Sequence, residues 1–420
     1  MTEHAEIVIV GAGAAGLMAG IWAGRTNPDR AIVLLDGARK PGAKILIAGG
    51  GRCNVTHDHV DARHYAGSSR NATQKVLRHF DVPQTIAFFH ELGVELKREE
   101  TGKLFPTTDS ARTVLNALLA AASRANVTLQ YPRRVDTVER LGNGFRVSGE
   151  WGHVDSRYVV LATGGKSLPQ TGSDGHGYEI ARSLGHHLTP RTFPGLVPLT
   201  LPEDHFICGL SGITVRATLD LHSSSGKKLV SFTDSTLCTH FGLSGPSVLD
   251  ISRYVIDAQF DDPGAALAIN WLPDQTTGQV ESDLLALGRA TPVKYLGSCL
   301  PERLARALCI EAGVEPNTPG DQLSRERRKA LARIVTALPL SIAGHRGFLH
   351  AEVTAGGIPL AEIHLNTMES RVCPGLYLCG EICDVDGRIG GFNFQWAWAS
   401  GYTAGVSIGK AGREQNPKLC

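Results

Sequence analysis

Short apolar runs, none of them long, organise this chain. Ile7-Val8-Ile9-Val10, after Glu6, leaves neither face polar, which predicts a strand buried on both sides, as in a parallel sheet. Gly11-Ala12-Gly13-Ala14-Ala15-Gly16 follows at once. Leu17–Arg25 is small and apolar and predicts a helix that ends before Asn27-Pro28. Ala31–Leu35 predicts a second buried strand, closed by Asp36. Together these make a βαβ unit of about 30 residues. A glycine-rich loop is expected from Gly42 to Thr56, then helices over Gln74–Leu92 and Ser110–Ala125, with Ser110 as N-cap. Strands are expected over Val127–Gln130, Val135–Glu139 and Phe145–Val147, the last two turned by Gly142-Asn143-Gly144. Tyr158–Ala162 is another buried strand, and it runs into Thr163-Gly164-Gly165.

After about Thr189 the pattern changes. Pro190, Pro194, Pro198 and Pro202 break any helix. Val215, Ala217, Leu219 and Leu221 alternate with Thr214, Arg216, Thr218 and Asp220, the period of a half-buried strand, and Lys227–Phe232 returns after a turn at Ser223–Gly226. From about Thr276 apolar residues fall at helical spacing, as in Pro301–Ile310 and Gln322–Leu338. Strand-like text resumes near Gly347, with Gly375–Cys379 as a last buried strand and Phe394–Ile408 as a last helix. The expected organisation is one α/β dinucleotide-binding domain in two parts, 1–189 and 347–420. Between them lie an antiparallel β domain, 190–275, and a helical domain, 276–346.

Composition narrows the class. The 420 residues carry a formal net charge of +1, so the charge balance asks for neither nucleic acid nor an anionic membrane. No apolar segment approaches the ~20 residues of a membrane span, and the polar Met1–Glu6 start does not read as a signal peptide. The nine cysteines are odd in number and scattered, as free thiols of a cytoplasmic protein are, and no zinc spacing occurs. No metal is expected.

The 48 glycines sit largely in compact runs, which points to main chain lying against a ligand. Gly11 permits a tight turn, Gly13 removes the Cβ that would block a pyrophosphate, and Gly16 lets helix and strand pack closely. The N-terminus of the helix that follows, with its unpaired N–H groups and dipole, favours the phosphates, and Ala14 and Ala15 of the turn count with the glycines as cofactor-binding positions. Asp36, 20 residues past Gly16 at the end of the second strand, is placed to accept from a ribose hydroxyl.

Longer motifs carry a resemblance. Gly49–Thr56 (GGGRCNVT), Gly164–Gly177 (GGKSLPQTGSDGHG), Thr239–Pro246 (THFGLSGP), Glu352–Gly357 (EVTAGG) and Cys379–Trp398 (CGEICDVDGRIGGFNFQWAW) are quoted in chain order. With them the sequence resembles, over essentially its whole length, the bacterial NAD(P)/FAD-dependent oxidoreductases of the BaiN type, which include aminoacetone-oxidase-like flavoproteins. The resemblance implies a Rossmann-like, glutathione-reductase-like FAD domain interrupted by a β-barrel plus helical insert, with FAD tightly bound. It implies that Asp36 holds the adenosine ribose, with Lys44 on the phosphate and ribose side. Gly50, Gly51, Arg52, Cys53 and Asn54, and Thr163, Gly164 and Gly165, would line the cofactor. Val135, on its strand, would meet the adenine through its backbone. Gly380, Glu381 and Asp386 would approach the ribityl and pyrophosphate groups. Gly391 and Asn393 belong to the start of the last helix, with Asn393 as its cap.

The candidate catalytic side chains are Cys53, which reads first as small buried packing near the flavin and whose thiol Arg52 could otherwise activate, and His240, a potential proton donor whose plainer reading is a hydrogen-bonded structural histidine. A dithiol mechanism fails, because the position five after Cys53 is Asp58. Trp396 and Trp398 read as helix packing. The expected activity is an FAD-dependent oxidoreductase that passes a hydride from NAD(P)H, bound transiently, to a small-molecule acceptor; no second GxGxxG unit is present for a nicotinamide domain. The alternatives are a substrate-driven amine oxidase that makes peroxide, an RNA-modifying flavoprotein and a redox sensor.

Overall fold

The computed structural model describes residues 3–411; residues 1–2 and 412–420, and with the latter Cys420, lie outside it. The chain divides into two compact units, 1–194 with 352–420, and 195–351.

The first unit is built on a sheet whose centre is parallel. Strand β1 (Glu3–Val10) leads to helix α1 (Ala14–Thr26) and back to β2 (Ile32–Leu35). Ile7, Val8 and Ile9 have no exposed surface, as an unbroken apolar run requires. The strand Gly152–Leu161 pairs parallel with β1 on one side, Val10 opposite Leu161, and β2 pairs on the other, Val10 opposite Leu35. Val127–Gln130 extends the sheet beyond β2, and Leu376–Leu378 extends it beyond Gly152–Leu161, so strands from both ends of the chain share one sheet. The expected hairpin forms as Thr137–Leu141 and Gly144–Gly149 and pairs with Gly152–Leu161. The last helix, Phe392–Lys410, lies along α1. A Cβ at Gly401 or Gly405 would come within 2.5 or 2.4 Å of the Ala15 or Ala19 carbonyl oxygen, so this contact tolerates no side chain there.

Two expectations are corrected by local chemistry. Gln74–Leu92 is not one helix but two, Arg70–Leu77 and Val82–Glu91. Asp81 starts the second with a capping box: its carboxylate accepts from the Gln84 N–H while the Gln84 amide oxygen accepts from the Asp81 N–H, and Pro83 follows. Ser110 stands at the N-cap of Ala111–Arg124, but its side chain makes no cap hydrogen bond.

The second unit holds a seven-stranded sheet in the order 338–340, 266–270, 214–222, 228–239, 242–244, 199–200 and 344–345. In Thr214–His222 the alternation is real, with Ala217, Leu219 and Leu221 buried. The helices after Thr276 share one apolar core with this sheet, through Leu219, Ile269, Leu304 and Val335 among others. The insert therefore forms a single unit.

Candidate functional site

The glycines of the β1–α1 turn do different work, and their surroundings separate them. Gly11 has φ +104°, and a Cβ there would lie 2.5 Å from the Ala162 carbonyl oxygen. A Cβ on Gly16 would lie 1.9 Å from the Gly11 carbonyl oxygen. Chain packing alone requires both. Gly13 has an ordinary φ of −79°, and a Cβ there would meet no protein atom within 4 Å. No protein atom fills the space a side chain would take at 13, which suits a ligand at the N-terminus of α1. Ala14 and Ala15 supply the first N–H groups of that helix.

Asp36 closes the turn from the far side. Its Oδ2 accepts from the Ala12 N–H at 2.6 Å and its Oδ1 from the Ala38 N–H at 2.8 Å. Burial raises its pKa above the usual carboxylate value, and the two amides only partly offset this. Each oxygen keeps a lone pair, so acceptance from a ribose hydroxyl remains open to it.

The Gly42–Thr56 segment is not all loop. It opens as a helix, Ala43–Gly51, breaks at Ala48 (ψ 143°), and runs left-handed through Gly49, Gly50 and Gly51 at φ 57°, 69° and 84°. Cys53 shares that region at φ 61°, a conformation a side chain occupies at a cost of about 1–2 kcal/mol. Asn54 is buried, and its Oδ1 has no hydrogen-bond partner. A buried acceptor left so costs about 1–3 kcal/mol unless a ligand supplies the donor. The Thr163 hydroxyl, in the Thr163-Gly164-Gly165 turn, is in the same position. These orphaned atoms and the open space at Gly13 fit an extended polar cofactor.

Cys53 is buried packing, the reading its sequence favours, and Arg52 does not activate it. Its thiol is fully buried, and burial pushes its pKa up to about 12. Arg52 turns away, bonding Glu99 at 2.6 Å and standing 3.9 Å over the Phe105 ring. Lys44, expected beside the phosphates, spends its ammonium group on Glu381 Oε2 at 2.6 Å and Ser167 Oγ at 2.7 Å. Glu381 also accepts from Ser167 Oγ at 2.8 Å and the Thr354 N–H at 3.0 Å. This knot ties α2 (Ala43–Gly51), the turn after Gly165, and the Gly380 loop together.

Asn393 does not cap the last helix. Gly391, at φ +95°, holds the cap position, and Asn393 lies inside the helix, where its amide brackets both the N–H and the C=O of Gly387. Asp386 is buried on the short strand Val385–Gly387. Val135 is buried just ahead of its strand rather than on it. His240 lies exposed in the inserted unit, between Lys228–Thr239 and Gly242–Ser244. Packing misses one property of Trp396 and Trp398: their indole N–H groups donate to the Gly380 and Val55 carbonyls, tethering both glycine-rich loops to the last helix. Sequence gave no sign of Gln395, whose buried amide joins Thr56, Thr85 and the Phe80 carbonyl.

One further constellation looks catalytic and is not. Ser370, His186 and Glu362 line up at 2.8 and 2.7 Å. The Ser370 oxygen, however, is buried and already accepts from the Val372 and Cys373 amides. Its O–H therefore donates to His186, which donates to Glu362, and no nucleophile is exposed. Among the described residues no group of His, Cys, Asp or Glu could hold a metal ion, and no helix is long and apolar enough to cross a membrane.

A parallel sheet, a glycine turn open at Gly13, an acid at the end of the next strand, and glycine loops returning from the chain's far end define a Rossmann-type FAD-binding flavoprotein, an oxidoreductase. The chain belongs to the HI0933-like family: residues 5–407 match its model, described as HI0933-like protein Rossmann domain. It is similar to the 3-dehydro-bile acid delta(4,6)-reductase of Clostridium scindens, 34% identical over 405 residues that cover 95% of this chain and 98% of that protein. It is equally similar to the ribosomal RNA dihydrouridine synthase of Escherichia coli, 35% identical over 412 residues, 97% of this chain and 98% of the relative. The protein of that name from Haemophilus influenzae is 32% identical over 421 residues, 98% of this chain and all of the relative. A quinol-fumarate reductase solved with menaquinol molecules shares the fold, with TM-score 0.53 at 17% identity, over 99% of this chain and 73% of that one.

Proposed function

We propose that this protein is an FAD-dependent reductase of a carbon–carbon double bond conjugated to a carbonyl group, with NAD(P)H as the electron source. One observation carries the reading. Relatives that each align with at least 95% of this chain bear names for different substrates but for one bond change. A 3-oxo steroid diene and a uracil ring both lose a C=C bond activated by a neighbouring C=O. FAD, when bound, supplies two-electron hydride chemistry: a hydride taken from the nicotinamide goes to the electron-poor alkene carbon, and a proton goes to the carbon beside the carbonyl.

The chain's own residues bind, orient and exclude. The α1 N-terminus at Gly13 holds the pyrophosphate, and Asp36 holds the ribose. Asn54 Oδ1 and the main chain of Gly50 and Gly51 take the remaining donors and close approaches. The Lys44–Glu381 pair braces the cradle rather than touching phosphate. Cys53 stays neutral and takes no part, which leaves His240 as the candidate proton donor.

The acceptor is a small molecule on this reading, since a net charge of +1 gives the chain no overall excess of positive charge to draw RNA. A second reading, a uridine of ribosomal RNA, is favoured by the names of two relatives. Anaerobic mixing of the purified yellow protein with NADH or NADPH tests the first half, and bleaching of the flavin is expected. A 3-oxo-4,6-diene steroid and a uridine-containing rRNA fragment are then offered to the reduced protein. Reoxidation with saturation of either supports the reading and chooses between them. Reoxidation by oxygen alone, with amines as the only effective reductants, would replace it by the oxidase.

A further inference from the structure

The inserted unit carries its own group of polar side chains around one short turn. His240 and Phe241 form the two-residue tip between Lys228–Thr239 and Gly242–Ser244. The tip is fixed from three sides. Thr239 Oγ1 donates to the Gly242 carbonyl at 3.0 Å, and the Phe241 carbonyl accepts from the Leu201 N–H at 3.0 Å. A Cβ at Gly242 would lie 2.5 Å from the Leu199 carbonyl oxygen. The strand Leu199–Thr200 also pairs with Gly344–His345, Leu199 opposite His345. One short strand thus sets the His240 tip beside the loop His345-Arg346-Gly347-Phe348-Leu349-His350.

Arg346 is held as few surface arginines are. Its guanidinium carbon stands 4.4 Å over the Phe241 ring, and its Nη2 lies 2.9 Å from His350 Nε2. Its N–H donates to the Pro198 carbonyl at 3.1 Å. Arginine carries no acceptor, so His350 Nε2 must accept and the proton of that ring sits on Nδ1. His345 Nδ1 accepts from the Gly347 N–H at 3.1 Å, which places its proton on Nε2. His240, His345 and His350 are exposed. Beyond these bonds the side chains of His345, Arg346 and His350 offer donors: the remaining guanidinium N–H groups and one imidazole N–H on each histidine. Among the described residues no carboxylate pairs with Arg346. Leu349, in the same loop, leaves 61% of its surface exposed.

We infer that Phe241, Arg346 and His350 form a binding site for an oxyanion, a carboxylate or a phosphate. A planar fork stacked on an aromatic ring, with one edge already fixed, is pre-organised for two parallel hydrogen bonds to such a group.

Calorimetric titration of the flavin-loaded full chain with inorganic phosphate and, separately, with hexanoate tests the site. Saturable binding is expected in the wild type. Arg346→Gln should weaken it about tenfold or more, and Arg346→Lys, which keeps the charge but not the fork, should recover part. Flavin content in the same samples reports on folding. Phosphate binding tighter than hexanoate points to a phosphorylated ligand; the reverse points to a carboxylated small molecule with an apolar body over Leu349. Absence of saturable binding by the wild type, or unchanged binding in Arg346→Gln, overturns the site. If binding is lost in Arg346→Gln yet the wild type reduces no conjugated acceptor, the reductase reading falls and the site stands.

Discussion

Replacing Gly13 with alanine separates a glycine kept for a ligand from one kept for the fold. Gly13 is the N-cap residue of α1, in an extended conformation that alanine adopts without strain. Two small terms oppose each other in the apoprotein. Alanine is a poorer N-cap than glycine, at a cost of about 0.5–1.5 kcal/mol. It also lowers the entropy of the unfolded chain, which returns about 0.4–1 kcal/mol. With no atom within 4 Å of the new methyl group, no packing term enters. Apo Gly13→Ala should therefore match the wild type to within about 1 kcal/mol. Gly16→Ala serves as contrast. Its methyl would fall 1.9 Å from the Gly11 carbonyl oxygen, backbone that must move, and a loss of about 1–3 kcal/mol or more is expected.

Cofactor binding should respond in the opposite way. A methyl group in the space at Gly13 holds a phosphate away from the helix N–H groups. Two charge-assisted hydrogen bonds of about 1.5–3 kcal/mol each are then lost, an affinity loss of about 10²–10⁴-fold. The assays are urea unfolding of flavin-stripped protein and quenching of FAD fluorescence on reconstitution. The reasoning is refuted if Gly13→Ala takes up FAD as the wild type does, or if its apoprotein is as damaged as that of Gly16→Ala.

Three more predictions follow from the same geometry. With its pKa near 12, Cys53 holds about one thiolate in ten thousand at pH 8, so peptide mass spectrometry after native alkylation should find Cys299 modified and Cys53 not; rapid labelling of Cys53 would contradict its burial. Lys44→Met leaves Glu381 half-buried without its cation and should cost about 2–4 kcal/mol in urea unfolding, with FAD affinity falling too, whereas Lys44→Met with Glu381→Gln should recover much of the loss; a double variant no better than the single one would mean that Lys44 acts on the cofactor directly. Burial works against the charge on Glu362, but the His187 amide and the His186 and His187 imidazoles outweigh it and hold the carboxyl below its usual value. The folded pKa being the lower one, this stabilisation is complete above about pH 4.3 and is lost as pH falls through the folded value; Glu362→Gln should flatten the acid limb of stability against pH and cost about 1–2 kcal/mol at neutral pH, and an unchanged limb would show that the buried His186 chain carries no such coupling.

What the sequence made legible, and what it did not, follows from the range of the forces involved. The β1–α1–β2 unit could be read because each step obeys a rule acting over a few residues: an apolar run, a glycine turn, a helix stop, an acid at a strand end. The same locality explains the misread elements. A capping box at Asp81 broke an expected helix, and three left-handed glycines after a helical turn looked like plain loop. The roles of Lys44 and Asn393 were illegible for a different reason. The partner of Lys44 stands 337 positions away, and no spacing rule reports that its charge is already neutralised. Asn393 carries the right residue type for a cap, one turn-step too far along the helix to serve as one. Arg346 was passed over because the ring it stacks on, Phe241, and the carbonyl that holds its amide, that of Pro198, lie more than a hundred residues away in sequence. The distinction that matters for function is finer than presence or absence of a glycine. Gly11, Gly13 and Gly16 are identical letters in one motif, yet two of them face backbone and one faces empty space, and for that one no packing reason remains: only a modest advantage over alanine as an N-cap, and whatever binds there.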